Sequence, residues 1–304
     1  MINLKIFMNS YLKDMLSSII NDDQQSALSH LHNYLVAKTK QMATIESMSL
    51  MESEFPSSKE EVEAICKKYK ISNYTINDDL SVDVDGDVYM KKFKFNVLSK
   101  LPLKFGRVNG NFNCGFNKLT SLKGAPLYVG GNFYCYNLQL TSLKGAPREV
   151  GGSFSCQNNQ LTSLEGAPRA VGGDFICSTN QLTSLKGAPQ EIVGSFGCSN
   201  NQLTSLESAP REVGGAFYCS DNKLTSLNGA PREVGGSFMC YNNKLTSLEG
   251  APREVGGDFN CDRNQLTSLK GAPQEIGRSF SCSNNQLTSL DGIGIVHGPI
   301  FSDL

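Results

Sequence analysis

Ten cysteines, three histidines and a short acidic run are the residues of this 304-residue chain whose types could do chemistry. Cys114, Cys135, Cys156, Cys177, Cys198, Cys219, Cys240, Cys261 and Cys282 recur every 21 residues, and Cys66 stands apart. A structural metal site asks for Cys or His ligands a few residues apart along the chain. The thiols here are 21 residues apart, and His30, His32 and His297 add no ligand spacing. Thiols stacked on in-register strands point the same way rather than toward each other, which suits a disulfide poorly. The expectation is a column of reduced, buried thiols serving as small apolar side chains, with no metal and no cofactor.

The run Ser81-Val-Asp-Val-Asp-Gly86 imitates the start of a calcium loop, but Ser81 occupies the first ligand position and Lys92 the place of the bidentate glutamate. Asp85-Gly86 is a two-residue turn signal, and Ile71 to Phe95 is expected to form a hairpin around it. Arg148, Arg169, Arg211, Arg232 and Arg253 form one column beside another of Glu149, Glu212, Glu233 and Glu254. Catalysis needs unlike groups converging on one point, whereas these repeat like groups along a line. No enzyme is expected, and the charged columns read as a solvated outer face or a charged docking strip.

The element that must position all of these is the repeat itself, which runs without a gap from Leu119 to Leu290 and signals a solenoid. In the rung beginning at Phe154, Phe154 and Cys156 alternate with polar residues as in a strand with one buried face. Asn159 is placed to bond backbone of its own and the next rung through both ends of its amide. Leu161 and Leu164 return to the core, Gly166-Ala-Pro168 turns the chain, and Gly151-Gly152 lets the backbone re-enter the next strand. Leu138 interrupts the asparagine column formed by Asn117, Asn159, Asn180, Asn201, Asn222, Asn243, Asn264 and Asn285, and its backbone partners are expected to be served by Asn137 or water.

The phrase Phe-x-Cys-x-x-Asn-x-Leu-Thr-Ser-Leu resembles that of leucine-rich repeats over Leu98 to Leu304. The resemblance implies an α/β repeat solenoid: a leucine-rich-repeat horseshoe with a parallel concave sheet, here of about ten rungs with the last truncated. Leu-Thr-Ser-Leu-x-Gly-Ala-Pro is similar to short repeats of bacterial and bacteriophage proteins, and more distantly to those of secreted bacterial effectors. Gln24 to Met42 resembles a helical segment of prohead core proteins of T4-like bacteriophages.

Ahead of the repeats, residues 1–55 carry two apolar stripes at helical spacing and are expected to form a helical hairpin. Residues 56–97 are expected to supply a helix, capped by Ser58 and Glu61 with Val62, Ile65, Cys66 and Tyr69 on its buried face, and then the hairpin cap. Residues 98–304 form the solenoid. At its end, Phe301 is expected in the phenylalanine register, with Asp303 for Cys and Pro299 for Gly blunting the last strand. A net charge of −1 offers no broad basic footprint for nucleic acid. No secretion signal or membrane-length apolar run appears, so a cytosolic protein is expected.

Two columns on the inner curve vary where the rest repeats, and solenoids recognise partners there. They place Tyr134, Tyr136, Ile176, Tyr218, Met239 and Tyr241 outward, with Asp262 and Arg263 as a polar rim. The expected function is a non-catalytic protein-binding module using this concave face. The alternative is a structural or assembly component of a bacteriophage particle docked through its N-terminal helices.

Overall fold

The computed structural model describes residues 28–29, 31–36, 38, 55–90 and 97–304. The chain divides into two compact units, Met1–Glu54 and Phe55–Leu304. In the first, the described residues are helical; the rest of the expected helical hairpin lies outside the described residues. No described helix is long and apolar enough to cross a membrane.

The second unit begins with helix α1 (Lys59–Tyr69). Ser58 caps it by accepting from Glu61 N at 3.3 Å, and Glu61 reaches back to accept from Ser57 N at 2.8 Å, so two N-terminal donors are satisfied reciprocally. Val62 and Cys66 are fully buried, and Ile65 and Tyr69 pack against the core.

The remainder is a parallel β-solenoid of two sheets. Strands β1 (Tyr74–Ile76), β2 (Val82–Val84) and β4 (Phe105–Val108) begin a twelve-stranded sheet that continues through the even-numbered strands to β22 (Ile295–Val296). Strands β3 (Val88–Tyr89) and β5 (Phe112–Asn113) begin an eleven-stranded sheet that continues through the odd-numbered strands to β23 (Ile300–Phe301). Each rung gives one strand to each sheet. The Glu-Val pair that precedes most corners is extended and pairs in parallel register, as in Glu233↔Glu254. No helix interrupts the described rungs, so the α/β expectation gives way to strands and turns.

The turn at Asp85-Gly86 also needs correction. The antiparallel hairpin forms between β1 and β2 through residues 77–80, where Leu80 N donates to Asn77 O at 3.0 Å and Leu80 takes φ 60°. Asp85-Gly86 is instead the corner from one sheet to the other, equivalent to the later Gly-Gly corners. Because β2 and β3 already pair in parallel with β4 and β5, residues 82–90 are a rung in themselves, without the repeat phrase but with Val82, Val84, Val88 and Met90 inside.

Three columns hold the rungs together. Phe112 to Phe280 form a continuous buried stack of nine rings with centroids 5.2 to 5.7 Å apart and planes within 16°. The asparagine ladder is seen at Asn159, whose Nδ2 donates to Cys135 O and Cys156 O at 2.9 and 3.0 Å while Oδ1 accepts from Leu140 N at 3.0 Å. At all but one of the repeat corners from Gly130 to Gly277 the first residue is a glycine that close approach favours: a Cβ on Gly172 would sit 2.1 Å from Gly151 O.

The last rung is one residue short. Phe280 pairs with Ile300 and Ser281 with Phe301, so Ile300 takes the phenylalanine register and Phe301 points outward. This corrects the expected placement of Phe301 by one position, and Ser302 rather than Asp303 stands where cysteine recurs.

Candidate functional site

The thiol column is chemically quiet. All ten cysteines are buried and unpaired with one another. Burial pushes the Cys66 and Cys282 thiols up to about 11 and Cys114 to about 12. Their protons go to the next rung, as Cys240 and Cys261 donate to Asn260 O and Ser281 O at 3.4 and 3.3 Å. A protonated, buried thiol is neither nucleophile nor ligand. Nor do the described residues contain a group of three Asp, Glu, His or Cys placed to hold a metal ion. The acids of the calcium-like run serve the next rung instead: Asp83 accepts from Arg107 N at 2.7 Å and Asp85 from Asn109 Nδ2 at 3.2 Å.

That pattern belongs to a second ladder not foreseen from the sequence. The residue after each corner accepts from the backbone of the next rung: Asp87 from Asn111 N, Asn111 from Asn132 N, Asn132 from Ser153 N and Asp174 from Ser195 N, all within 2.7 to 2.8 Å. Two of its acids, Asp87 and Asp258, are held toward the ionised form. Asp258 titrates below the usual carboxylate range because Ser279 bonds it through both hydroxyl and N–H, and Asp87 does so because Asn111 N and the Tyr89 hydroxyl donate to it. Ala216 breaks this ladder, since it has no acceptor for Ser237 N.

The outward face of the eleven-stranded sheet carries exposed aromatic side chains, Tyr218 and Tyr241 among them. Near its N-terminal end Tyr134 and Tyr136 lie 5.8 Å apart, and Phe116 meets Tyr136 edge-on at 5.2 Å. Tyr136 leans over the neighbouring rung, where a Cβ on Gly115 would fall 2.9 Å from its ring, and is thereby held in place. Tyr89 lies in the Tyr134 column two rungs away, with Asn113 between them. Phe116 and Tyr89 escaped the sequence analysis. Tyr89 belongs to the unrecognised rung, and Phe116 occupies a turn column otherwise filled by Asn137, Asn158, Thr179, Asn200, Asp221, Asn242, Arg263 and Asn284. All nine residues take the left-handed conformation, which Asn and Asp adopt at lower cost than bulky residues. Phe116 at φ 57° is 61% exposed, so it gives up backbone ease without burying its ring.

Of the other expected residues, Tyr218 and Met239 are direct neighbours in register, and Tyr218 and Tyr241 are exposed. Ile176 folds over Gly197 of the next rung. Asp262 is not a free rim charge, because Ser283 N and Ser281 Oγ both donate to it at 2.7 Å. Arg263 is exposed in the left-handed turn column.

On the twelve-stranded sheet, Glu191, Glu212, Glu233, Glu254 and Glu275 line an open groove of about 710 Å³. Arg253 lies 3.6 Å from Glu254 and His297 bonds Glu275 at 2.9 Å. No family model matches the chain, and comparison with curated proteins finds no match.

Proposed function

We propose that the chain is a non-catalytic protein-binding module of the leucine-rich-repeat kind, presenting the outward, expectedly concave, face of the eleven-stranded sheet to a protein partner. The observation that carries this reading is the Phe116, Tyr134 and Tyr136 cluster. Exposed aromatics in mutual contact are the usual anchors of protein interfaces, and a Phe in left-handed backbone sacrifices on the order of 1 kcal/mol relative to relaxed geometry. Neither core packing nor solubility accounts for that residue. Tyr218, Met239 and Tyr241 form a second anchor further along the same face.

The test is affinity for a partner captured from the native cell. Phe116→Ala with Tyr136→Ala is expected to weaken binding at least tenfold, roughly 1.4 kcal/mol, while Arg211→Ala with Arg232→Ala leaves it unchanged. The reverse result would move the interface to the charged sheet.

A second reading, a structural or assembly component of a bacteriophage particle, draws support from the separate N-terminal unit and the resemblance of Gln24 to Met42 to prohead core proteins. Deleting residues 1–54 separates the two. A binding module keeps its partner, whereas an assembly component loses incorporation.

A further inference from the structure

We infer that the outward face of the eleven-stranded sheet takes a polyproline II segment of a protein partner, laid across the rungs with prolines three apart and a basic residue at the end nearest Asp87. This rests on the reading of that sheet as a protein-binding face. The outward column runs Tyr89, Asn113, Tyr134, Ser155, Ile176 and Gly197, each in parallel register with the next. Large and small side chains alternate along it. Tyr89 is 48% exposed and Tyr134 and Ile176 are half-buried, whereas Asn113 and Ser155 between them are each only 7% exposed. Tyr89, Tyr134 and Ile176 are therefore ridges, and the notches between them are floored by Asn113 and Ser155. The row stops there, because Ile176 folds over Gly197 and fills the next notch.

The spacing selects the occupant. Neighbouring ridges stand two rungs apart, about 9.6 Å at the usual separation of paired strands. A polyproline II helix repeats every three residues at about 3.1 Å each, or about 9.3 Å per turn. Its residues i and i+3 thus meet successive notches almost in step. A β-strand returns to the same face after about 6.7 Å and an α-helix after about 5.4 Å, and neither matches the two-rung period. Aromatic ridges are also what proline-rich segments dock against, since their conformation is preformed and costs little entropy to fix.

The floor supplies donors. Asn113 Oδ1 accepts from Gly115 N at 3.0 Å, while its Nδ2 and the Ser155 hydroxyl have no partner among the described residues. Every fully buried side-chain nitrogen or oxygen described is partnered, so these two keep contact with solvent at the bottom of the notches. The backbone of a polyproline II segment makes no internal hydrogen bonds, which leaves its carbonyls to accept from both.

Charge fixes the direction. Asp87 is exposed beside Tyr89, whose hydroxyl donates to it at 2.9 Å, and no cation pairs with it among the described residues. An exposed carboxylate at one end of the row favours Lys or Arg at that end of the segment.

The experiment is calorimetric titration of the whole chain with a proline peptide of about three polyproline turns carrying one arginine at either end. A glycine-serine peptide of the same length and charge is the control, and circular dichroism checks folding. One orientation of the proline peptide is expected to bind saturably, about tenfold more tightly than the other and than the control. Tyr134→Ser removes the ridge shared by both notches and installs the residue that Ser155 and Ser281 already carry in this column, so the fold is kept while affinity is expected to fall about tenfold. Asp87→Asn is expected to erase the preference between orientations, and asparagine already serves this corner position at Asn111 and Asn132. Absence of saturable binding, equal affinity for the control, unchanged binding in Tyr134→Ser, or an orientation preference that survives Asp87→Asn would each overturn the proposal. The native partner's response to Phe116→Ala with Tyr136→Ala would then still decide the protein-binding reading by itself.

Discussion

Leu138 shows what a single side chain does in a ladder. Asn117 and Asn159 accept from Leu98 N and Leu140 N at 3.0 Å, and the corresponding bond to Leu119 N is missing among the described residues. Asn137 does not replace it, as its carboxamide accepts from Asn158 Nδ2 of the next rung. A buried N–H without a partner costs about 1 to 3 kcal/mol, so Leu138→Asn is expected to stabilise the fold by about 1 kcal/mol after the loss of some leucine packing, read as a higher denaturation midpoint. A lower midpoint would mean that packing at Leu138 outweighs the bond. The thiols lead to a second expectation. With Cys66, Cys114 and Cys282 raised to about 11 or 12 by burial, the thiolate fraction near neutral pH is very small, and a thiol reagent is expected to label the native protein slowly and the denatured protein completely. The carboxylates act in the opposite sense. Asp87 and Asp258 are depressed in the folded chain, so their contribution to stability is present above the ordinary value of about 4 and is lost as pH falls through their folded values. Urea midpoints are therefore expected to decline below pH 4, and less steeply in Asp258→Asn. The contrast between the two ladders explains what the sequence made legible. The asparagine column keeps one residue type at a fixed period. The corner column interchanges Asp, Asn and Ser, which share only a short side-chain acceptor, and that common property is invisible until the rungs are stacked.

At the scale of the element, two-residue strands carry almost no alternation. Phe154-x-Cys156 shows its buried face because a third residue continues the period, whereas Glu149-Val150 stops at a Gly-Gly corner before a period can be read. The second sheet was hidden for that reason. The Asp85-Gly86 signal misled because the same dipeptide that turns a hairpin also turns a corner, and only the partner strand distinguishes them. Where a rung departs from the phrase, the consequence follows from the neighbouring backbone. Val193 stands in the column of close-approach glycines, of which Gly172 and Gly214 donate to Val150 O and Ile192 O at 2.9 and 3.0 Å. Its Cβ would press on the Gly172 carbonyl as one on Gly172 would press on Gly151 O. The structure gives way: β10 (Ala170–Val171) and β12 (Glu191–Ile192) keep one register pair, Val171↔Ile192, where most neighbouring strands keep two, the Val193 bond to Val171 O is missing among the described residues, and Val193 is 73% exposed. Val193→Gly is expected to restore that bond and stabilise the array by about 1 kcal/mol, read as a higher midpoint with faster-exchanging amides at Ile192 and Gly194 slowed. An unchanged or lower midpoint would show that the rungs relax around Val193 without loss.

For the solenoid as a whole, stability is a sum over neighbouring rungs, because each rung touches little else. The phenylalanine stack makes this sum concrete. Phe196 lies between Phe175 and Phe217 at 5.5 and 5.4 Å, while Phe280 meets Phe259 at 5.7 Å on one side and Ile300 on the other. Truncating a buried Phe to Ala typically removes about 3 to 5 kcal/mol through lost transfer energy and the cavity left behind. At Phe196 that loss falls on two ring contacts in the middle of the array, next to the rung already loosened by Val193. At Phe280 it falls on one, beside an end that is partly solvated. Phe196→Ala is therefore expected to divide one cooperative transition into two, with the rungs before β13 (Phe196–Gly197) and those after it unfolding separately. Phe280→Ala is expected to fray the last two rungs and leave a single main transition. Hydrogen exchange read rung by rung distinguishes these outcomes from a rigid single domain, in which both variants would lower one shared midpoint and slow amides on both sides of Phe196 would lose protection together.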